Sequence, residues 1–349
     1  MLRHIDRRGF LASLPALAMA PRLAAQGAKP QIRTRGINHV KLIVADMKRS
    51  TDFYQGLFGA PVQARSSSEV ALRIGSGPQH LALAADADAN PAIESYCLGV
   101  ENFNADQILK ALAEHGVTRS DYRGARTVQV ATRGDRTDIY LNDPDELIVQ
   151  LQDVSYCGGS GRLGASCGAV EPSAKKGLIA LRGYSHITVF SGDAARSNDF
   201  YKDLFGLGIR SYQGPTAPTL AVGPTVEFLM FTGGAAGRGA STGSGPAPAP
   251  RKASINHFCM SLESFNADAI IKTLESYGIR PRESQTGPVG PMRHYISMRM
   301  ENRGGAKEGT PELYFTDPDG ILVQLQDVKY CGGSGVLGDV CPSSWPAGG

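Results

Sequence analysis

Asp52-Phe53-Tyr54-Gln55-Gly56-Leu57-Phe58-Gly59 returns later in the chain as Asp199-Phe200-Tyr201-Lys202-Asp203-Leu204-Phe205-Gly206. Phe53 and Leu57, like Phe200 and Leu204, are four apart and share one helical face, and each closing glycine suits the position just past a helix C-terminus. Ahead of each helix stands an apolar run with one histidine, Ile37-Asn38-His39-Val40-Lys41-Leu42 and Tyr184-Ser185-His186-Ile187-Thr188-Val189. Read as a strand, the second run puts His186, Thr188 and Phe190 on one face, with Ile187 and Val189 turned to the helix side.

The repetition continues outward. Tyr96-Cys97-Leu98-Gly99-Val100-Glu101-Asn102-Phe103-Asn104-Ala105-Asp106 matches Phe258-Cys259-Met260-Ser261-Leu262-Glu263-Ser264-Phe265-Asn266-Ala267-Asp268. Asn-Ala-Asp starts a helix in each copy, and the amphipathic runs that follow both end in Gly. Asp143-Pro144-Asp145 and Asp317-Pro318-Asp319 then read as turns joining two strands. The strand–helix–strands pattern therefore occurs twice in residues 36–155 and twice in 183–330. The sequence predicts an α+β fold of two tandem domains, 36–167 and 181–341, each built from two βαβββ modules that form a cupped mixed sheet. A polar linker over 168–180 joins them, and a Gly/Ser/Pro-rich stretch at 232–251 has the composition of a flexible connection.

The 349 residues are 42% hydrophobic and 20% charged, enough for two cored domains. No run of eighteen apolar residues follows the N-terminus, which excludes a multi-span membrane protein and leaves no integral span to expect. The formal charge of +3 comes from the first 26 residues, and without them 32 basic side chains face 32 acidic ones. A balanced surface gives no reason to expect nucleic acid as a partner. In the N-terminal segment, Arg7-Arg8-Gly9-Phe10-Leu11 precedes a short apolar run broken by Pro15, then small residues. Residues 1–28 resemble a twin-arginine export signal, with an ordinary secretory signal as the alternative, and either implies a periplasmic or secreted protein.

Taken together, the early strand with its histidine, the Asp-Phe-Tyr-x-x-Leu-Phe-Gly helix and the Asp-Pro-Asp-Gly turn resemble the vicinal oxygen chelate superfamily. That superfamily holds glyoxalases, bleomycin-resistance proteins and extradiol ring-cleavage dioxygenases. The resemblance implies a cup holding a divalent metal, with ligands from the first and last strands of each module. Carried onto the second domain, it nominates His186, Glu227, His257 and Gln324. Two imidazoles with oxygen donors suit Fe2+ or Mn2+ first, with Zn2+ and Ni2+ as further options. Gln324 departs from the family's usual Glu, so the set holds a carboxylate only if Glu227 ligates; Glu227 is otherwise a solvated strand residue. The first domain keeps His39 and Gln150, but has Ser95 where the second has His257, and Gln79-His80 in the Glu227 region. It reads as degenerate and structural.

The resemblance also nominates Tyr314, ten residues before Gln324, as a substrate contact. His294 is a candidate acid or base because imidazole titrates near neutrality. The expected function is an exported, metal-dependent enzyme that chelates adjacent oxygens of a small-molecule substrate, an extradiol-type dioxygenase first. The alternatives are a glyoxalase-like isomerase or lyase, or a periplasmic binding protein without turnover. The family also admits a homodimer. Cys157 and Cys167, like Cys331 and Cys341, flank matching Gly-rich loops. In an exported protein these read as two small disulfide loops, against a rival thiolate metal or redox site, while Cys97 and Cys259 read as buried apolar residues.

Overall fold

The computed structural model describes residues 31–86, 88–215, 217–233 and 252–341. The signal read at residues 1–28 lies outside the described residues, as does most of the Gly/Ser/Pro-rich stretch.

In the first domain β1 (Thr34–Val44) leads into α1 (Met47–Phe58), then β2 (Val62–Arg65), β3 (Glu69–Arg73) and β4 (His80–Ala85). The second module runs β5 (Ala92–Val100), α2 (Ala105–Glu114), a two-residue β6 (Thr118–Arg119), β7 (Thr127–Arg133), β8 (Arg136–Asn142) and β9 (Ile148–Asp153). These strands form one mixed sheet ordered β2-β3-β4-β1-β5-β9-β8-β7-β6. The second domain repeats the series with β10 (Gly183–Ser191), α3 (Ala194–Phe205), β11 (Ile209–Tyr212), β12 (Pro218–Ala221) and β13 (Phe228–Gly233). It continues with β14 (Ser254–Leu262), α4 (Ala267–Ser276), β15 (Arg280–Pro281), β16 (Arg293–Arg299), β17 (Thr310–Thr316) and β18 (Leu322–Asp327). Its sheet order, β11-β12-β13-β10-β14-β18-β17-β16-β15, is the same. The architecture is two tandem domains, each with a nine-stranded mixed sheet.

Local chemistry explains the helix limits. Asp46, Asp193, Asn104 and Asn266 each accept a backbone N–H of the first turn, so every helix opens on a side-chain cap. Gly59 and Gly206 close α1 and α3 at φ 66° and 67°, a left-handed conformation that a Cβ would strain.

The repeated motifs meet across the domain boundary, and each belongs to the other domain's turn. Tyr54, on α1 of the first domain, donates its hydroxyl to Asp317 Oδ2 in the second (3.0 Å). Tyr201, on α3 of the second, donates to Asp143 Oδ2 in the first (3.1 Å). The other carboxylate oxygen of each Asp accepts two backbone N–H groups of its own turn, Asp145 and Leu147 for Asp143, and Asp319 and Ile321 for Asp317. Arg49 with Asp319 and Arg196 with Asp145 complete the same exchange. One hydrophobic core runs through both domains, including Leu57 and Phe53 from the first and Leu204 and Phe200 from the second. Burial pushes Asp143 and Asp317 up to about 6.

Both Gly-rich tails close as disulfides, Cys157–Cys167 and Cys331–Cys341, each with Cα atoms 6.3 Å apart. Cys97 and Cys259 are free and buried. Among the described residues no helix is long and apolar enough to cross a membrane.

Candidate active site

The second sheet curls around a cavity of about 340 Å3 whose lining includes His186, Thr188, Phe190, His257, Tyr314 and Gln324. Strand pairing brings these together. His257 stands opposite Thr188 across β10 and β14, and Gln324 lies beside Cys259 on β14 and opposite Tyr314 on β17. Ile187 and Val189 turn to the buried core, as alternation requires.

Three acceptor atoms converge. His257 Nε2 lies 3.3 Å from His186 Nε2, which lies 3.1 Å from Gln324 Oε1. Asn256 Oδ1, 2.7 Å from His257 Nδ1, accepts that nitrogen's proton and leaves Nε2 with its lone pair exposed to the trio. Burial and the neighbouring His257 hold His186 well below the usual imidazole range, and burial takes His257 down to about 4. Both rings are neutral at pH 7, so a single shared proton, or a cation in its place, resolves three lone pairs around one point. Gln324 turns its oxygen to the histidines and leaves Nε2 buried without a partner among the described residues.

Tyr314 joins the trio. Its ring meets His257 edge-on at 5.3 Å, stacks on Tyr295 at 4.9 Å, and its hydroxyl donates to Glu312 Oε2 at 3.3 Å. Burial, then the Glu312 charge, push the phenol well above its ordinary value, so Tyr314 stays protonated.

Two nominated residues lie elsewhere. Glu227 immediately precedes β13, and the residue that faces His186 is Phe228, stacked on it at 4.5 Å. One step along the pleat turns Glu227 away from the cup and into the domain boundary. There Ile37 N donates to its Oε2 (2.5 Å) and Gln79 Nε2 to its Oε1 (3.2 Å). Gln79 holds the corresponding place in the first domain, before His80, so the two meet near a pseudo-twofold axis. Gly36 and Gly183 make room for them: a Cβ there would lie 2.8 Å from Glu227 Oε2 and 2.7 Å from Gln79 Oε1. Burial pushes Glu227 up to about 7. His294 pairs with Phe315, a core residue on the helix side of β17, and its Nε2 faces Glu275 on α4 at 3.2 Å. Its neighbour Tyr295 takes the cup face, which removes His294 from substrate.

The cup contains a carboxylate that the motifs do not single out. Glu312, two residues before Tyr314 and so on the same strand face, accepts from Arg299 Nε (2.7 Å) and the Tyr330 hydroxyl (2.9 Å). Arg299 is fully buried and also donates to the Gly333 carbonyl inside the second disulfide loop (2.9 Å). Period-two spacing from Tyr314 was the available signal for Glu312.

The first domain retains the scaffold without the trio. His39 Nε2 meets Gln150 Oε1 at 3.1 Å, but Ser95 stands opposite Lys41 where His257 stands opposite Thr188. His80 stacks on His39 at 4.5 Å, as Phe228 does on His186, so it shares the inward face. Among the described residues no group of three or more His, Cys, Asp or Glu gathers to hold a metal; the second cup reaches three donors by way of Gln324.

Residues 36–151 and 183–325 each match the family described as the Glyoxalase/Bleomycin resistance protein/Dioxygenase superfamily. No curated protein matches the chain in sequence. Among solved structures, a variant of homoprotocatechuate 2,3-dioxygenase from Brevibacterium fuscum superposes with TM-score 0.56 at 17% identity, covering 86% of this chain and 73% of that one. A catechol 2,3-dioxygenase gives 0.56 at 16% identity, covering 87% and 89%. The Brevibacterium enzyme in complex with 3,4-dihydroxyphenylacetate gives 0.55 at 18%, covering 86% and 82%. At such identities the likeness is one of fold.

Proposed function

The chain belongs to the Glyoxalase/Bleomycin resistance protein/Dioxygenase superfamily, and from that premise we propose that it is a metal-dependent, extradiol-type dioxygenase working in its second domain. The observation that carries this reading is the convergence of His186 Nε2, His257 Nε2 and Gln324 Oε1 in the second cup, beside Tyr314, against a first cup that has Ser95. The donor set fits a divalent ion such as Fe2+ or Mn2+: two neutral imidazoles and an amide already turned oxygen-first. Because all three ligands are neutral, they offset none of the ion's charge and hold it less firmly than a set with a carboxylate.

When bound, the ion would supply Lewis acidity to two adjacent oxygens of a catechol-like substrate. Around that point the protein's own groups orient the substrate. The Tyr314 hydroxyl is committed as donor to Glu312, so toward a substrate O–H in the cavity it serves as an acceptor. Arg299 and Tyr330 hold Glu312 in place. Phe228 packs flat on His186, and Met230 and Leu322 add apolar side chains to the cavity lining. The isomerase alternative drew on Glu227 as a fourth ligand, and that carboxylate is committed to Ile37 and Gln79.

Export is part of the same proposal. The Arg7-Arg8 segment has the pattern of an exported precursor, and two disulfides suit an oxidising compartment. Oxygen consumption by the Fe2+-loaded protein on addition of catechols tests the reaction. Uptake is expected, and binding of catechols without uptake would reduce the protein to a binding module.

A further inference from the structure

The second cup offers a divalent ion donors but no charge. The imidazoles of His186 and His257 coordinate only in their neutral form, and Gln324 turns a neutral amide oxygen to them. Nothing else in the lining offsets a cation. Glu312 is the one carboxylate there, and buried Arg299 pairs with it at 2.7 Å. Arg282 and Arg303 line the same cavity, and among the described residues neither forms an ion pair; Glu283, beside Arg282, is taken by Arg293.

This positive balance belongs to the second domain. Arg282 N donates to His294 O just as Ser120 N donates to Val128 O, so Ser120 is its counterpart in the first domain. Arg303 sits on a short 3-10 turn, Glu301–Arg303, in the loop between β16 and β17. The first domain joins its corresponding strands, β7 and β8, with Gly134 and Asp135 alone. A dication placed at the trio therefore enters a cup that is already positive, where charges are screened less than in open water.

The missing negative charge has to come from the ligand. When an acidic vicinal diol chelates the ion, one hydroxyl gives its proton to the buffer and its oxygen becomes anionic. The other keeps its proton and donates it to Tyr314, whose own hydroxyl is committed to Glu312. Gln324 Nε2, on the same amide as the coordinating oxygen, is buried without an acceptor among the described residues. It adds an unspent donor, which favours an anion beside the trio.

We propose that the second cup binds metal and ligand as one unit. The ion is held firmly only together with a chelator that carries negative charge on its coordinating oxygens, and Gln324 imposes that condition. The inference rests on the reading of the second cup as a chelating site. It adds that metal retention depends on the ligand, and that acidic diols are taken in preference to neutral polyols. By linkage, the chelator raises metal affinity by the same factor as the metal raises chelator affinity.

The test is Mn2+ binding to the purified protein, read anaerobically at pH 7 from the electron paramagnetic resonance signal of the free ion. It is run with and without 4-nitrocatechol, at concentrations where the two do not complex in buffer alone. The chelator should tighten Mn2+ binding about fiftyfold, and calorimetry should show Mn2+ tightening the chelator by the same factor. Cyclohexane-1,2-diol, which stays neutral, should change Mn2+ affinity by less than about twofold. Gln324→Glu supplies the charge in the same shape: Mn2+ alone should bind about thirtyfold more tightly, and the coupling should fall below about fivefold. The comparison of chelators needs no variant and stands if Gln324→Glu fails to fold. Mn2+ affinity unmoved by 4-nitrocatechol, equal coupling to the neutral diol, or full coupling in Gln324→Glu overturns the inference and leaves the chelating site standing. No Mn2+ bound with or without chelator overturns the chelating site and the inference together.

Discussion

The first and second cups share a scaffold and differ in three places that matter. Each has a histidine on its opening strand, an aromatic or imidazole ring stacked on it, and a glutamine on its closing strand. The second adds His257 where the first has Ser95, Arg282 where it has Ser120, and a loop bearing Arg303 where it has a two-residue turn. Both cups keep a paired histidine and glutamine, and the differing residues add a third donor and two guanidinium groups to the second. A repeated fold thus provides its own control.

The sharpest way to break the comparison is to remove the difference. His257→Ser should make the second cup resemble the first and weaken metal affinity by about a thousandfold, read by metal titration. Ser95→His in the first cup should restore little, because Lys41 opposite it is held by Glu69 and Glu94 at the cup face.

The two disulfides offer a second contrast. Replacing either cysteine pair by Ala should cost about 3 kcal/mol, visible as a lower Tm. Loss of Cys331–Cys341 should also lower activity, since Gly333 in that loop anchors Arg299 and through it Glu312 and Tyr314. The first pair anchors Arg136 on Gly159 in the same manner, away from the trio, and its removal should leave activity per folded molecule unchanged.

A third contrast lies at the pseudo-twofold axis, where Glu227 meets Gln79. Burial raises Glu227 from 4.5 to about 7, so between these values the folded protein holds a proton that the unfolded chain has released. Its stabilising contribution is complete below pH 4.5 and is lost as pH climbs through 7, an effect on the order of 3 kcal/mol. Glu227→Gln should flatten that slope in denaturant titrations, and an unchanged slope would place the titrating group elsewhere. Smallest are the reciprocal clasps: Tyr54→Phe should cost about 1 kcal/mol by freeing one carboxylate oxygen of the opposite domain's turn, and Tyr201→Phe more than that, because it also strands the buried Tyr96 hydroxyl 2.7 Å away.

Local periodicity made most of the fold legible. The helix faces, their caps and the Asp-Pro-Asp turns follow from spacing over a few residues, and the repeat multiplied the signal. His186, His257, Gln324 and Tyr314 meet as their strand positions imply. Glu227 was misplaced because the boundary of β13 falls one residue later, and in a strand one residue exchanges faces. His294 was nominated for its chemistry alone, and its place within β16 puts it on the helix side, with Tyr295 taking the cup. The exchange of Tyr54 and Tyr201 between domains was not legible, since nothing in either motif says which copy of the turn it meets. Arg299 was hidden because its partners, Glu312, Tyr330 and Gly333, come together only through the disulfide loop.

The most direct test of the account is the bound metal of the purified protein, measured by elemental analysis beside His186→Ala/His257→Ala. The account predicts about one Fe or Mn per chain in the unaltered protein and its loss in the double variant, as one three-donor site requires. A chain that stays empty after anaerobic loading with Fe2+ or Mn2+, or a double variant that keeps its metal, would contradict it.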